Sequence, residues 1–346
     1  MNFTYIGCRT TKERGACGKG ISVCRPRTDG SWELVQLAET VNPSFLCMDR
    51  EEQYLYAIHG DYSQISAYRS EKDGTLTELN TVSTYGTNPV HLCVDKSNRW
   101  VFVANLQTGS VAVLPRLAGG RLGNIHTIYF LDGNGGPGYI SHPHQVMQDR
   151  AGNYLVVSAQ GRLQGVGKVT VFRIDSENGT LTETCRVAAR PGAEPRHCVF
   201  SADNRFCFGV NEKDYTVTAY RFDSEAGILT PLQVISTLPQ DCVEGGWASG
   251  IDITPDGKHL YVSDRKRDVI SCFAIDITTG WLTLSGLVHA GGRQPRFIGV
   301  SRDGRELIVA HELSNSVSAF PIDPVTGALG EGKVRFETGS PVCVLA

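Results

Sequence analysis

One short pattern recurs seven times along the 346 residues and constrains the fold more than any other feature of the chain. An alternating run of about three residues returns as Ile21-Ser22-Val23, Ile65-Ser66-Ala67, Val111-Ala112-Val113, Val169-Thr170-Val171, Val217-Thr218-Ala219, Ile270-Ser271-Cys272 and Val317-Ser318-Ala319, with starts separated by 44, 46, 58, 48, 53 and 47 residues. Ahead of it in most copies stands an apolar run: Val101–Ala104, Tyr154–Val157, Phe206–Gly209, Leu260–Ser263, Leu307–Ala310. Ahead of that again comes a turn and another run, opening at Asn42-Pro43, Asn88-Pro89, His142-Pro143, Glu194-Pro195, Trp247-Ala248, Gln294-Pro295 and Ser340-Pro341. A period near 50 residues with several strands per copy predicts an all-β, seven-bladed β-propeller.

The turn after each third strand carries glycine: Gly74, Gly179, Gly227, Gly280 and Gly327. Glycine supplies the positive φ a tight hairpin needs, so a fourth strand follows and each blade is a four-stranded antiparallel sheet. The chain ends carry half-units. Residues 340–346 read as a first strand with nothing after it, and residues 3–7 as a second strand with nothing before it. Pairing the two completes the seventh blade and removes the open sheet edge. No linker-like segment interrupts the repeats, so residues 1–346 are expected to form a single propeller domain.

Bulk composition narrows the function. With 33 basic and 36 acidic residues there is no cationic excess for nucleic acid. The apolar runs are strand-sized, so no membrane span is expected. The first residues lack a basic segment followed by a long apolar one, and the eleven cysteines are scattered and odd in number. A reduced, cytoplasmic protein is therefore expected. Five of those cysteines, Cys47, Cys93, Cys198, Cys272 and Cys343, fall within strand patterns as small apolar residues.

In a propeller the first strands line the central channel, and the start of each meets the end of the adjacent second strand at one mouth. The residues after the repeat proline are Ser44, Val90, His144, Arg196, Ser249, Arg296 and Val342; the next are Phe45, His91, Gln145, His197, Gly250, Phe297 and Cys343. The second strands end at His59-Gly60-Asp61, Asn105-Leu106, Ala159-Gln160, Asn211-Glu212, Asp264-Arg265, His311-Glu312 and Gly7-Cys8. Arginines, carboxylates and histidines thus converge on one concavity, the default location of a site. Structural duties compete for the same residues. Arg196 and Arg296 can pair with Glu212 and Glu312 to fasten blades, His91 and His197 can hydrogen-bond between blades, and His142 can simply precede a turn proline. His142 and His144 sit at alternate positions, which would face them the same way on a regular strand. A third ligand is not visible, so no metal and no cofactor is expected.

The segments Pro195-Arg196-His197, Asn211-Glu212, Thr254-Pro255-Asp256-Gly257, Ser263-Asp264-Arg265, Gln294-Pro295-Arg296-Phe297 and Asp323-Pro324-Val325-Thr326-Gly327 give the chain a specific resemblance. It resembles the propeller-type lactonase family, which includes 6-phosphogluconolactonases and carboxy-cis,cis-muconate lactonizing enzymes. Alongside His142, Arg296, His197, Gln145 and Glu312, expected from the two rings as substrate-binding neighbours, the resemblance implies a catalytic set of His144 (or His142), Arg196, Glu212 and Arg265. It implies hydrolysis of a small sugar-acid lactone, phosphorylated or not, with His144 or Glu212 as base and the arginines on the anion. Lys213, Lys266 and Arg267 are the spare cations for a phosphate. Lactonization of an unsaturated dicarboxylate is the alternative reaction. A non-enzymatic binding scaffold, acting through outer loops such as 116–141, is the alternative class. The chain departs from the family at Gly250, where members often carry an acid, and at Ser158-Ala159-Gln160-Gly161. Residues 162–167 look like an insertion. The long segment before His142 is a candidate lid.

Overall fold

The computed structural model describes residues 3–133, 138–162, 165–239, 242 and 245–346. They form seven four-stranded sheets, and every pairing within a sheet is antiparallel. We number the blades 1 to 7 from the sheet that opens at Pro43. The strand order is regular in blades 1 to 6, each opening on a first strand at the channel: Pro43–Met48, Pro89–Val94, His142–Gln148, Pro195–Phe200, Ala248–Ile253 and Pro295–Val300. Blade 7 is completed across the chain ends, with Pro341–Leu345 beside Thr4–Cys8 in the register Tyr5 to Leu345, Ile6 to Val344 and Gly7 to Cys343. The seam expected from the half-units is therefore present.

Burial follows position in the blade. The second strand Tyr154–Gln160 is buried at every residue because blades cover it on both faces. The outermost strand Thr180–Ala188 is largely exposed or half-buried, with only Leu181 buried. Apolar clusters lie between blades, not within them: Phe208 and Val210 of blade 4 pack with Ile251, Val262 and Phe273 of blade 5. The seam is held likewise, with Ile6 and Val344 against Ile308 and Ala310 of blade 6.

The glycine turns do two jobs, as Gly227 shows. Its φ of +72° closes the turn, and its amide donates to the Asp223 carbonyl at 2.8 Å. A Cβ there would fall 2.1 Å from the Tyr154 ring of the preceding blade, whose hydroxyl donates to Glu225 O at 2.7 Å. The missing side chain thus lets one blade's turn seat on the preceding blade's aromatic residue.

Segment 116–141 differs from the outer loop anticipated. Thr127–Phe130 within it is the fourth strand of blade 2, paired with Ser110–Pro115. Of its Gly-rich run 133–138, residues 134–137 lie outside the described residues, as do 163 and 164 of the presumed insertion. No helix among the described residues is long and apolar enough to cross a membrane.

Candidate active site

All seven channel strands share one irregularity. The register of Pro43 to His59 jumps to Phe45 with Ile58, and the same single-residue slip follows Pro89, Pro143, Pro195, Ala248 and Pro295. In the seventh blade it falls at Val342. These are β-bulges, which insert one unpaired residue and turn the strand. Successive residues of a regular strand face opposite ways. The bulge cancels that alternation, so both residues after the proline reach the channel: Ser44 with Phe45, Val90 with His91, His144 with Gln145, Arg196 with His197, Arg296 with Phe297. Entry to several bulges requires strained backbone, as at Glu194 (φ +61°) and Gln294 (φ +58°).

The bulge also separates the two histidines expected to face alike. His142 Nδ1 lies 2.9 Å from the Leu106 carbonyl, so that nitrogen carries the proton and the ring serves the junction of blades 2 and 3. His142 lines neither cavity described below; His144 lines both.

The mouth encloses about 470 Å³ and continues, past Arg9, Val90, His144 and Arg296, into an inner chamber of about 180 Å³. Glu212 is the hub. Its carboxylate accepts the Gln160 amide at 2.9 Å and the Trp247 indole N–H at 2.7 Å. Arg196 Nε lies 3.3 Å and Arg265 Nη2 3.2 Å from it. Burial opposes ionisation of Glu212, but Arg265 and Arg196, with the indole bond, outweigh it and hold the carboxyl below the usual range. Arg265 stacks on Trp247 with its guanidinium carbon 3.9 Å from the ring centroid, and Lys213 sits over the same indole at 5.0 Å.

Glu312 is a second hub, 3.1 Å from Arg9 Nε and 3.5 Å from Arg296 Nη1. Arg9 also lies 3.6 Å from Asp61, which is bound in turn by Arg14. Burial and the nearby Arg296 charge bring Arg9 down to about 9.

His144 is buried, and burial with the Arg196 charge pushes its pKa well below the ordinary histidine value, so the ring is neutral. Its Nδ1 has no hydrogen-bond partner. His91 and His197 do not bridge blades by hydrogen bonds as anticipated. They form an aromatic cluster: His197 lies edge-on to His144 at 5.2 Å and to His91 at 5.4 Å, and His91 stacks on Phe45 at 4.0 Å. Arg196 Nη1 lies 3.4 Å from His197 Nδ1. Gln145 turns its side-chain oxygen to the Cys198 amide at 2.6 Å, tying blade 3 to blade 4 beside the chamber.

The structure thus brings His144, Glu212, Arg265, Arg296 and Glu312 to one mouth, with Arg196, His197 and Gln145 lining the inner chamber beneath it and His142 outside. Arg9 and Trp247 were missed. Cys8 pairs opposite Pro341 as Asn211 pairs opposite Pro195 and His311 opposite Pro295. Arg9 therefore holds the repeat position of Glu212 and Glu312, one residue past the expected strand end at Gly7-Cys8. Of the expected spare cations, Lys266 and Arg267 do not line the mouth, and Arg267 Nε donates to the Gly245 carbonyl at 3.1 Å. The surplus comes instead from Arg9, Arg14 and Arg162: five arginines line the mouth against two glutamates. Arg162 Nε lies 3.3 Å from Gln160 Oε1, which extends the network around Glu212. The absence of an acid at Gly250 has a steric reason, since a Cβ there would meet the Ile298 nitrogen at 2.9 Å. Among the described residues no group of three or more His, Cys, Asp and Glu side chains is placed to hold a metal ion.

Known proteins share this arrangement of blades. The family model described as "Lactonase, 7-bladed beta-propeller" matches residues 3–346. The chain is 29% identical to a 6-phosphogluconolactonase of Bacillus subtilis over 262 residues, 75% of this chain and 74% of that one. It is 31% identical to a 6-phosphogluconolactonase of Pectobacterium carotovorum over 274 residues, 77% of each. Among solved structures, the periplasmic gluconolactonase of Pseudomonas aeruginosa superposes with a TM-score of 0.89 at 27% identity, covering 99% of this chain and 98% of that one. With the family model matching residues 3–346, the chain belongs to the seven-bladed β-propeller lactonases.

Proposed function

We propose that the protein hydrolyses a phosphorylated sugar-acid lactone at this mouth, with His144 as the base. The observation that carries the reading is the division of labour between the two candidate bases. Glu212 is surrounded by four donors and held ionised, which makes it a poor proton acceptor and a good anchor for Arg196 and Arg265. His144 is neutral with an uncommitted Nδ1.

Water attacks the lactone carbonyl carbon while His144 takes its proton. The carbonyl oxygen becomes anionic and is met by the guanidinium groups of Arg196 and Arg265. Collapse breaks the bond to the ring oxygen, which receives the proton back from His144, and a hydroxy acid leaves. An anionic substrate offsets the arginine charges that depress His144, and so brings its basicity nearer to neutral pH.

Two properties favour a phosphorylated substrate. Five arginines line the mouth against two glutamates and the Asp61 carboxylate that pairs with Arg9 and Arg14, an excess of two charges matched to a dianion. The pair Arg9 and Arg296 around Glu312 stands apart from the pair Arg196 and Arg265 around Glu212, so phosphate and reacting carbonyl have separate cationic ends. Both proteins named above as 6-phosphogluconolactonases act, by name, on such a lactone. All eleven cysteines are free, which suits a reducing, cytoplasmic setting. Ring closure of a dicarboxylate finds no support in the relatives, and the open, cation-rich mouth does not suit a passive scaffold. The test compares hydrolysis of 6-phosphoglucono-lactone and glucono-lactone. A higher kcat/KM for the phosphorylated compound supports the reading, and equal values overturn its substrate assignment.

A further inference from the structure

The strand His142–Gln148 carries His144 at the mouth and ends four residues later at Gln148, about 13 Å away along an extended chain. There, at the opposite end of the channel, lies a cavity of about 370 Å³. Three cations from successive blades line it, and each reaches a main-chain carbonyl of the next blade. Arg50 Nη2 donates to Val94 at 2.7 Å, Lys96 Nζ to Ala151 at 2.8 Å, and Arg150 Nη2 to Phe200 at 2.7 Å. These bonds clasp blades, but they leave donors over. Neither guanidinium uses its Nη1 on a partner among the described residues.

Gln148 sharpens the point. The residue is 9% exposed, and its Oε1 accepts Arg50 Nη2 at 2.5 Å. Its Nε2 is then a buried donor without an acceptor, an arrangement that is costly unless an acceptor arrives. The nearby carboxylates cannot supply one. Asp149 already takes the amides of Ala151, Asn153 and Tyr154 and the side chain of Asn204. Asp252, across the channel, takes the amides of Ile253 and Val300. The rest of the wall includes Cys47, Cys93 and Met147, and Met147 also borders the inner chamber.

We propose that this far end is a second ligand site for a small phosphate-type oxyanion, separate from the mouth where the lactone opens. The oxyanion accepts from Gln148 Nε2 and the free edges of Arg50 and Arg150, with Lys96 at the rim and any carbon skeleton against Met147 and the two cysteines. The site is independent of the proposed reaction, so loss of one leaves the other standing.

The test uses tungstate, a heavy phosphate mimic, soaked into crystals, and equilibrium dialysis against inorganic phosphate and glycerol 3-phosphate. An anomalous peak within hydrogen-bond reach of Gln148 Nε2 is expected. Gln148→Glu keeps an acceptor for Arg50 but replaces the orphan donor with negative charge. It should lose the peak and weaken phosphate binding at this end by at least about tenfold, with lactone hydrolysis unchanged. Should that variant fail to fold, Arg150→Gln provides the same comparison. Tighter binding of glycerol 3-phosphate than of inorganic phosphate would mark an ester as the occupant; equal or weaker binding would mark the free ion. No peak at this end in the wild type, or an equal peak in Gln148→Glu, overturns the proposal.

Discussion

The indole of Trp247 donates to Glu212 at 2.7 Å while its face carries the Arg265 guanidinium, so one side chain fixes both an anion and a cation of the mouth. Trp247→Phe keeps most of the stacking surface and removes the hydrogen bond. A bond to a charged acceptor is worth about 1.5–3 kcal/mol. We expect kcat to fall about ten- to a hundredfold with a smaller change in KM, and an unchanged fold by circular dichroism. A kcat within twofold of wild type would show that Glu212 needs no such support.

Arg296 is placed to serve the non-reacting end of the substrate, 3.5 Å from Glu312 and 19% exposed where it lines the mouth. Arg296→Met should raise KM for a phosphorylated lactone about tenfold and leave KM for its unphosphorylated counterpart within about twofold, a split of about 1.4 kcal/mol. Equal effects on both substrates would place the phosphate elsewhere.

Buried neutral histidines set the acid limit of the fold. Burial lowers His91 to about 3, with Arg196 adding to the effect, and burial lowers His311 to about 4; His144 and His197 are also well below their ordinary value. A histidine depressed in the folded state stabilises it above the unfolded pKa near 6.5, and that contribution is lost as pH falls toward the folded value. Urea titrations should therefore show stability dropping as pH falls from about 6.5 to 4, by up to about 1.4 kcal/mol per pH unit for each such histidine. His91→Gln should make that slope shallower by about one proton. An unchanged slope would mean the His91 ring takes up a proton without unfolding.

Closure of the ring depends on Pro341–Leu345, whose Val342, Cys343 and Val344 are buried against neighbouring blades. Deleting residues 340–346 exposes the edge of Thr4–Cys8 and removes three buried side chains. Each such side chain is worth about 1.5–3 kcal/mol. Loss of cooperative thermal unfolding, or aggregation, is expected. A truncated monomer melting within a few degrees of the full chain would contradict closure through this seam.

The blades, their order and the seam were legible because each rests on local signals, namely turn glycines and period-two alternation, repeated seven times. The convergence of charged residues was legible for the same reason, since equivalent repeat positions must meet at one end of the channel. The bulges were not legible. A one-residue slip leaves no mark in composition, yet it decides that His144 enters the channel while His142 does not. Arg9 was hidden by the same slip, which moves the end of the partner strand one residue beyond Cys8. Trp247 stands in the place the other turns give to Asn, Glu, Gln, Ser or His, and its role follows from a contact with Glu212, 35 residues away in sequence, that no local pattern announces.

We propose that His144 takes the proton of the attacking water while Glu212 only holds the arginines. Initial rates of 6-phosphoglucono-lactone hydrolysis, corrected for spontaneous opening, test it in His144→Gln and Glu212→Gln across pH 5 to 9. We expect His144→Gln to lose about 10²–10⁴-fold in kcat together with the acidic limb of the pH profile, whereas Glu212→Gln lowers activity but keeps that limb. Retention of the limb in His144→Gln, with its loss in Glu212→Gln, would contradict the account and move the base to the carboxylate.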